Sequence, residues 1–132
     1  MIDFSNEVFT AIGNAVRAEH GNDIAIVGEN ISQPAAFPCV AMDETYNVPS
    51  QLSSSNAEEY AAVTYRVQVF ASGEGKRAKA RKIFATVADT CYKLNLMRKT
   101  YAPTPDMYNS SIYQISATFE ADIRRDGMIF RR

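Results

Sequence analysis

The chain has 132 residues, of which 46% are hydrophobic and 22% charged, and its formal net charge is −1. This length predicts a single domain, residues 1–132, with a core of its own, and the composition is that of an ordinary globular protein. A sequence pI of about 5.8 argues against a general nucleic-acid-binding protein, because such domains are usually strongly basic.

Charge is distributed unevenly along the chain. Residues 1–75 contain two basic and ten acidic side chains, a net charge of −8, whereas residues 76–132 contain twelve basic and five acidic ones, a net charge of +7. Either the two halves neutralise each other within one molecule, or the basic part of one molecule meets the acidic part of its neighbour. The second arrangement predicts a protein that assembles head to tail.

The first half of the chain predicts a helix, two strands and a loop. Apolar residues at helical spacing predict a helix over Asp3–His20, which the sequence His20-Gly21-Asn22 ends. Strands are predicted at Asp23–Val27 and Pro38–Thr45. The next segment, Tyr46–Asn56 (YNVPSQLSSSN), contains four serines and a proline without apolar periodicity, and it therefore predicts a loop.

This loop is a candidate binding element, because long loops inside compact domains often become ordered on contact with a partner. The side chains that would make such contacts are Tyr46, Val48, Gln51 and Leu52. The alternative, in which the segment is a solvated connector, stays open.

A long strand and a second helix follow the loop. In the predicted strand Glu58–Ala71, apolar residues at odd positions face one way and mostly polar residues at even positions face the other. The sequence Ser72-Gly73-Glu74-Gly75 predicts a turn, with Ser72 as the N-cap of a helix that runs to about Leu94. The buried stripe of this helix is predicted to be Ala80, Ile83, Phe84, Val87, Cys91 and Leu94.

Two more strands complete the predicted sheet. A shorter strand, Met97–Tyr101, is followed by Pro103 and Pro105, which predict an extended loop. In Tyr113–Arg124 every odd position is apolar and every even position polar, which is typical of an antiparallel sheet with one packed and one wet face. The elements predict an α+β two-layer sandwich, in which a mainly antiparallel sheet of about five strands has two helices packed on one face.

No segment of the sequence forms a complete catalytic or cofactor site, so we predict that the protein is not an enzyme and needs no cofactor or metal. The stretch Phe70–Arg77 lies where a phosphate-binding loop would lie, but its first and last residues replace the required glycine and the serine or threonine. The only histidine, His20, argues against nucleophilic triads and multi-histidine metal sites. The pair Glu120 and Asp122 leaves a metal-dependent nuclease as an alternative. Apolar runs are too short to span a bilayer.

Cations are concentrated in the opening turns of the second helix, at Lys76, Arg77, Lys79, Arg81 and Lys82. A helix N-terminus already carries a partial positive charge, so each added cation there costs about 0.3–1 kcal/mol at low ionic strength. The cluster therefore predicts an anionic partner, either phosphates or acidic groups of this or a neighbouring subunit. The alternative is a helix face that is merely solvated.

The C-terminal tail places apolar residues between pairs of arginines. It follows an Asp126-Gly127 turn and consists of Met128, Ile129, Phe130, Arg131 and Arg132. A tail of this composition predicts either a last strand at the edge of the sheet or a segment that docks on a neighbouring chain by strand addition.

Two segments, YRVQVFASGEGKRAKARKIFATV and ISATFEADIRRDGMIFRR, resemble the small tail terminator, or tail-to-head joining, proteins of long-tailed bacteriophages and prophages. The resemblance covers the whole chain in length and in the order of strand, turn, basic helix, strand and basic-apolar tail. It implies a virion protein that is made in the host cytoplasm and forms a ring, hexameric in the better-known members. Such a ring caps the tail tube, ends tail polymerisation and joins the tail to the head connector. The resemblance implies no catalytic residues.

On this resemblance, the partners are other copies of the chain, the tail tube protein and the head-completion or connector protein. The cations of Lys76–Lys82 and the tail Met128–Arg132 are expected to make subunit or connector contacts, and Tyr46–Asn56 to contact the tube or a neighbour. The candidate lining of the lumen, through which DNA passes only in transit, is Gln114, Ser116, Thr118 and Glu120. The alternatives are a head-completion or neck adaptor protein and, from another class, a small nucleic-acid-binding module.

Overall fold

The structure is a computed structural model that describes residues 1–28, 36–52, 58–105 and 112–131. Among these residues, the elements in chain order are α1 (Ser5–His20), β1 (Ala25–Val27), β2 (Cys39–Leu52), β3 (Glu58–Ser72), α2 (Lys76–Lys93), β4 (Met97–Pro105), β5 (Ile112–Arg124) and β6 (Ile129–Arg131). The predicted α+β class is confirmed, because both helices pack against one face of a mostly antiparallel sheet.

The strands lie in the order β1-β2-β3-β5-β4, and β6 pairs with β5 next to the start of β4. Neighbours are antiparallel except β1 and β2, which are parallel. Strands from the first half of the chain therefore form one side of the sheet, and strands from the second half form the other side. Of the helices, α1 packs near β2, whereas α2 packs over β3, β5 and β4.

The core lies between the helices and the inner faces of the two central strands. The β3 residues that the alternation predicts to face it are at most 1% exposed: Ala61, Val63, Tyr65, Val67 and Val69. Along β5, burial alternates from Gln114 to Arg124 as predicted, and Phe119 stands opposite Tyr65. The predicted stripe of α2 is buried too, except that Leu94 is only half-buried.

The start of α2 differs from the prediction. Ser72 is not the N-cap, because β3 continues through this residue, which pairs with Ile112 of β5. Gly75 precedes the helix instead, with φ +71 in the left-handed region that favours glycine. No side chain caps the helix, and its first turn contains no acidic residue. The cations of α2 therefore lie at a helix end without a compensating carboxylate in that turn.

The predicted loop Tyr46–Asn56 is wrong for its first seven residues. β2 continues through Leu52 and pairs with β3 along its length, with Tyr46 opposite Thr64 and Val48 opposite Ala62. Register shifts on both sides of Gln51, and one between Glu44 and Tyr46, interrupt the ladder. Pairing with a long central strand outweighs the weak local preference of these residues. Residues 53–57 lie outside the described residues.

The prediction that Pro103 and Pro105 force a loop is also wrong. β4 runs from Met97 to Pro105 and includes both prolines. Among the described residues β4 pairs with β5 alone. Proline is tolerated on such an edge strand, because a backbone N–H that faces away from the neighbouring strand is not needed for the hydrogen bonds of the sheet.

The C-terminal tail folds back as β6 and pairs with β5. Of the two predicted arrangements, the structure therefore has the one in which the tail is a last strand of its own sheet. Ile129 stands opposite Ile123, and Phe130 stands opposite Asp122 of β5. Ile129 also packs against the core. Arg132 lies outside the described residues. Within the chain, the backbone of the tail is thus already paired, and what it offers to another molecule is its exposed side chains.

The turn that leads into β6 requires glycine at Gly127. Its φ is +97, and a Cβ there would lie 3.0 Å from Cζ of Phe4. We expect Gly127→Ala to lower the free energy of unfolding by about 2 kcal/mol or more, because it adds a crowded contact to a strained backbone. The control is Gly73→Ala, which should cost about 1 kcal/mol, since Gly73 has φ +82 but no atom within 4 Å of such a Cβ. Equal losses in urea titrations would contradict a role for the Phe4 contact.

Candidate interaction surfaces

The sheet order turns the charge difference between the two halves of the chain into a difference between two sides of the molecule. Where α1 begins beside β2, the carboxylates of Asp3, Glu7 and Glu44 act electrostatically on the hydroxyl of Tyr65. Burial, followed by these negative charges, raises the pKa of Tyr65. At the opposite side, β4 (MRKTYAPTP) carries two cations and no carboxylate. The molecule therefore has an acidic side around β2 and a basic side around β4.

Some of these charged side chains pair within the molecule. Between described side chains, ion pairs join Arg66 to Asp43 at 3.3 Å, Arg125 to Glu59 at 3.6 Å and Arg124 to Asp126. Of these, Arg125–Glu59 joins the two halves, and the other two lie within one half. The exposed cations at the start of α2, namely Arg77, Lys79, Arg81 and Lys82, take part in none of them. These four exposed cations are therefore available to a second molecule.

The basic cluster of α2 borders a depression of about 350 Å³ between the end of α1 and the start of α2. Lys79 and Lys82 lie on one wall, and His20 and Asp23 lie on the other. Nε2 of His20 is 2.7 Å from Oγ1 of Thr86, which ties the end of α1 to α2. The surface that these cations form is thus built by both helices.

The two groups of residues expected to make subunit or connector contacts lie at opposite ends of the sheet. α2 begins just beyond Ser72, at the end of β3 that pairs with Ile112. β6 lies beside Ile123, which pairs with Ala61 near the start of β3. The structure does not bring the cationic helix start and the C-terminal strand together. They form two separate surfaces.

The residues expected in the binding loop are arranged along β2. Tyr46 and Val48 are 50% and 41% exposed, and their positions opposite Thr64 and Ala62 place them on the face that the helices leave open. Gln51 and Leu52 continue the strand, pairing with Tyr60 and Glu58. A strand therefore positions Tyr46 and Val48, which fixes them more rigidly than a loop would.

The candidate lumen residues share the helix-free face of the sheet, as the alternation predicts. They are the half-buried residues Gln114, Ser116, Thr118 and Glu120. Oγ1 of Thr118 lies 2.8 Å from Oγ1 of Thr100, and Thr64 donates a hydrogen bond of 3.4 Å to Glu120. On β2, β3 and β5, the rows that cross these residues carry one cation, Arg66, which pairs with Asp43. The charges of this part of the face are therefore nearly balanced.

One end of the helix-free face is not wet. Cys39, Ala41, Phe70 and Ile112 form a small buried cluster there, with Phe70 fully buried. The sequence pattern missed it, because Phe70 occupies an even position in a strand whose even positions were expected to face solvent. The apolar residues Cys39 and Ala41, which alternate in β2, were the available signal.

Sequence reasoning also missed exposed apolar residues on the basic side. Met97 and Tyr101 of β4 are exposed, and so is Tyr92 near the end of α2. The guanidinium of Arg98 lies 5.7 Å from the ring centroid of Tyr101, which is a cation–π distance. Apolar residues next to cations in a short predicted strand were the signal that could have identified this surface.

Among the described residues, no three side chains of His, Cys, Asp and Glu form a group that could hold a metal ion. No helix in the described ranges is long and apolar enough to cross a membrane.

No protein-family model matches the chain, and no curated protein matches it either. Among solved structures, the chain is similar to a chain from a structure described as the virion of a native gene transfer agent (GTA) particle. The two chains have a TM-score of 0.63 and 15% sequence identity, and the match covers 91% of each. At this identity, the likeness shows that the two share a fold over nearly their whole length.

Proposed function

We propose that this chain is a virion structural protein, which acts by assembling with copies of itself and with other virion proteins and catalyses no reaction. The shared fold with a chain of a gene transfer agent virion supports this proposal. The observation that carries it is the arrangement of acidic and basic side chains on opposite sides of one sheet. Copies of such a molecule can bind one another in a row, because each copy has both the acidic and the basic surface that the contact requires.

Within this class, we propose a tail terminator that forms a ring at the junction of tail and head. The resemblance of the sequence to tail-to-head joining proteins supports the assignment, and it implies a hexamer. A ring requires a heterologous interface, in which two different surfaces of one subunit meet. Opposite charges on these surfaces would speed up encounter and disfavour wrong registers. The acidic side around β2 and the basic side around β4 meet this requirement.

The cationic start of α2 then serves contacts along the ring axis. It lies at one end of the sheet, away from the acidic and the basic side, and its exposed cations Arg77, Lys79, Arg81 and Lys82 take part in none of the three ion pairs described above. An end surface of each subunit becomes part of one flat face of a ring. We therefore assign this surface, with Arg77, Lys79, Arg81 and Lys82, to the contact with the next component along the axis, either the tail tube or the head connector.

The helix-free face is our candidate for the wall of the lumen. DNA must slide through such a ring, so a dense belt of cations would hold its phosphates and slow it down. Gln114, Ser116, Thr118 and Glu120 are polar, and Arg66 opposite Thr118 is paired with Asp43 at 3.3 Å. A wall of this kind offers DNA little net attraction.

Electron microscopy of the purified protein, alone and mixed with isolated tail tubes, tests the proposal. We expect discrete rings of one size, and tubes that carry a single ring at one end. Analytical ultracentrifugation should show one closed oligomer whose mass is a fixed multiple of the chain. A protein that remains monomeric at high concentration and in the presence of tubes would contradict the proposal. Rings that bind isolated heads but not tubes would identify a head-completion or neck adaptor instead.

A second candidate, from another class, is a small nucleic-acid-binding module. It is favoured by the exposed cations that border the 350 Å³ depression of α1 and α2. Such a module would bind duplex DNA with an affinity that falls steeply with salt. Lys79→Glu combined with Arg81→Glu would abolish that binding. Absence of salt-dependent DNA binding would leave the structural role as the better account.

A further inference from the structure

The register of the sheet aligns exposed apolar side chains at its two margins. On the helix-free face, one cross-strand row begins with Tyr46 of β2 and ends with Met97 of β4. The next row begins with Val48 of β2 and ends with Phe130 of β6. These four side chains are 36–50% exposed. Each margin thus presents two apolar groups at matching heights along the strands.

A pair of opposite charges is aligned in the same way on the other face. Glu44 of β2 stands opposite Tyr65, Tyr65 opposite Phe119, and Phe119 opposite Arg98 of β4. Glu44 is half-buried and Arg98 is exposed. One row therefore ends in a carboxylate at the margin formed by β2 and in a guanidinium at the margin formed by β4.

The strand directions allow a second copy to extend the sheet sideways. β2 and β5 run in the same direction, and β4 and β6 run opposite to both. From Asp43 to Leu52, β2 has no outer neighbour among the described strands, because β1 pairs only with Cys39–Ala41. A copy placed alongside in the same orientation would present β4 and β6 antiparallel to this part of β2, as a regular antiparallel sheet requires.

We propose that the partner of each margin is the opposite margin of a second copy of this chain. In this contact Tyr46 packs beside Met97 of the next subunit, Val48 beside Phe130, and Glu44 pairs with Arg98. The proposal rests on ring assembly and deepens it, since it names the surfaces that meet. Three matched rows, two apolar and one of opposite charge, carry it.

Contact between two identical margins fits the observations less well. Two β2 margins would bring Glu44 and the nearby Asp3 and Glu7 of both copies together, and like charges that face each other are destabilising. Two β4 margins would likewise bring Arg98 and Lys99 together. An identical-margin contact would also close as a dimer and end assembly, because it uses the same surface on both copies.

Cross-linking between differently tagged copies tests this contact. Val48→Cys and Phe130→Cys are made in separate preparations, mixed, and treated with a short bismaleimide reagent near neutral pH. The native cysteines are buried, which raises the pKa of Cys39 and raises the pKa of Cys91 to about 12. Their thiols therefore stay protonated and unreactive. We expect a shift from the monomer band to a dimer band that contains both tags.

Three controls define the outcomes. Each single variant alone should give no dimer band, and Asn14→Cys on the exposed face of α1 should not link to Val48→Cys. Rings that form normally but give no mixed dimer would overturn the inference and leave ring assembly standing. Dimers from either single variant alone would also overturn it, in favour of an identical-margin contact. If no oligomer forms, the inference and the proposed function fail together. Tyr46→Cys with Met97→Cys repeats the test should either first variant fold poorly.

Charge exchange provides an independent measurement. Glu44→Lys and Arg98→Glu should each weaken self-association by about tenfold, because each places like charges in contact. The chain that carries both substitutions should assemble again, and so should an equal mixture of the two single variants, whose subunits would alternate around a ring with an even number of subunits. Failure of both combinations, with each variant folded by circular dichroism, would show that Glu44 and Arg98 do not meet.

Discussion

Replacing Lys79, Arg81 and Lys82 together by glutamate is expected to prevent attachment of the protein to its axial partner while leaving the fold intact. These three side chains are exposed and take part in none of the ion pairs between described residues. Charge reversal turns an attraction for an anionic surface into repulsion, which lowers the association rate and removes the pairs that would form. The free energy of unfolding should change by less than about 1 kcal/mol, because acidic residues suit the start of a helix. Attachment is scored on tail tubes and on heads by electron microscopy, and stability by urea titration.

A charge-matched control separates a local contact from an effect of net charge. Lys79→Gln, Arg81→Gln and Lys82→Gln lower the net charge by three, as do Thr10→Glu, Asn14→Glu and Ala18→Glu on the exposed face of α1. The first set should weaken attachment and the second should not. If the reversal variant attaches normally, the basic start of α2 is only a solvated surface.

Truncation of Phe119 is expected to have the largest effect on stability. Phe119 is 1% exposed, stands opposite Tyr65 at the centre of the sheet, and has its ring centroid 6.3 Å from that of Phe84 in α2. Phe119→Ala should lower the free energy of unfolding by about 3–5 kcal/mol, since it leaves a cavity between the sheet and the helix. A domain of this size has about 5–15 kcal/mol in total, so the variant should be close to unfolding at physiological temperature.

Phe130→Ala is the matched control for this prediction. Phe130 is 39% exposed, and its ring contacts Tyr60 at a centroid distance of 6.0 Å at the edge of the sheet. Its truncation should cost about 1 kcal/mol or less, because little apolar surface leaves the core. Urea titrations of the two variants give the comparison. Similar losses would show that β6 contributes to the core more than its burial indicates.

These substitutions affect different contacts of the protein. Phe119 holds the sheet to its helices, Lys79–Lys82 face a partner along one direction, and the margins face copies along another. Phe119→Ala should therefore lose every activity together with the fold. The variants of the cationic helix start and of the margins should each lose one contact and keep the rest. Independent losses of this kind would identify the protein as a connector with several separate surfaces.

The elements that could be predicted are those in which local pattern and tertiary position agree. Helical spacing identified α1 and the buried stripe of α2, and alternation identified the inner faces of β3 and β5. The pattern failed at Tyr46–Leu52 and at Pro103 and Pro105. In both places, pairing with a neighbouring strand outweighs residues that taken alone disfavour a strand.

The division of charge between the two halves was evident from composition, but its consequence was not. It depends on the order of strands, in which β3 lies next to β5, so that the acidic and basic halves occupy opposite sides. The alignment of Glu44 with Arg98 depends on pairings between residues that lie 21 and 54 positions apart in the chain. The spacing of residues close in sequence shows the periodicity of a single helix or strand. Which strands become neighbours in the sheet is decided by burial of the whole core. For this reason the residue types of these surfaces could be predicted from the sequence, whereas their positions depend on the folded sheet.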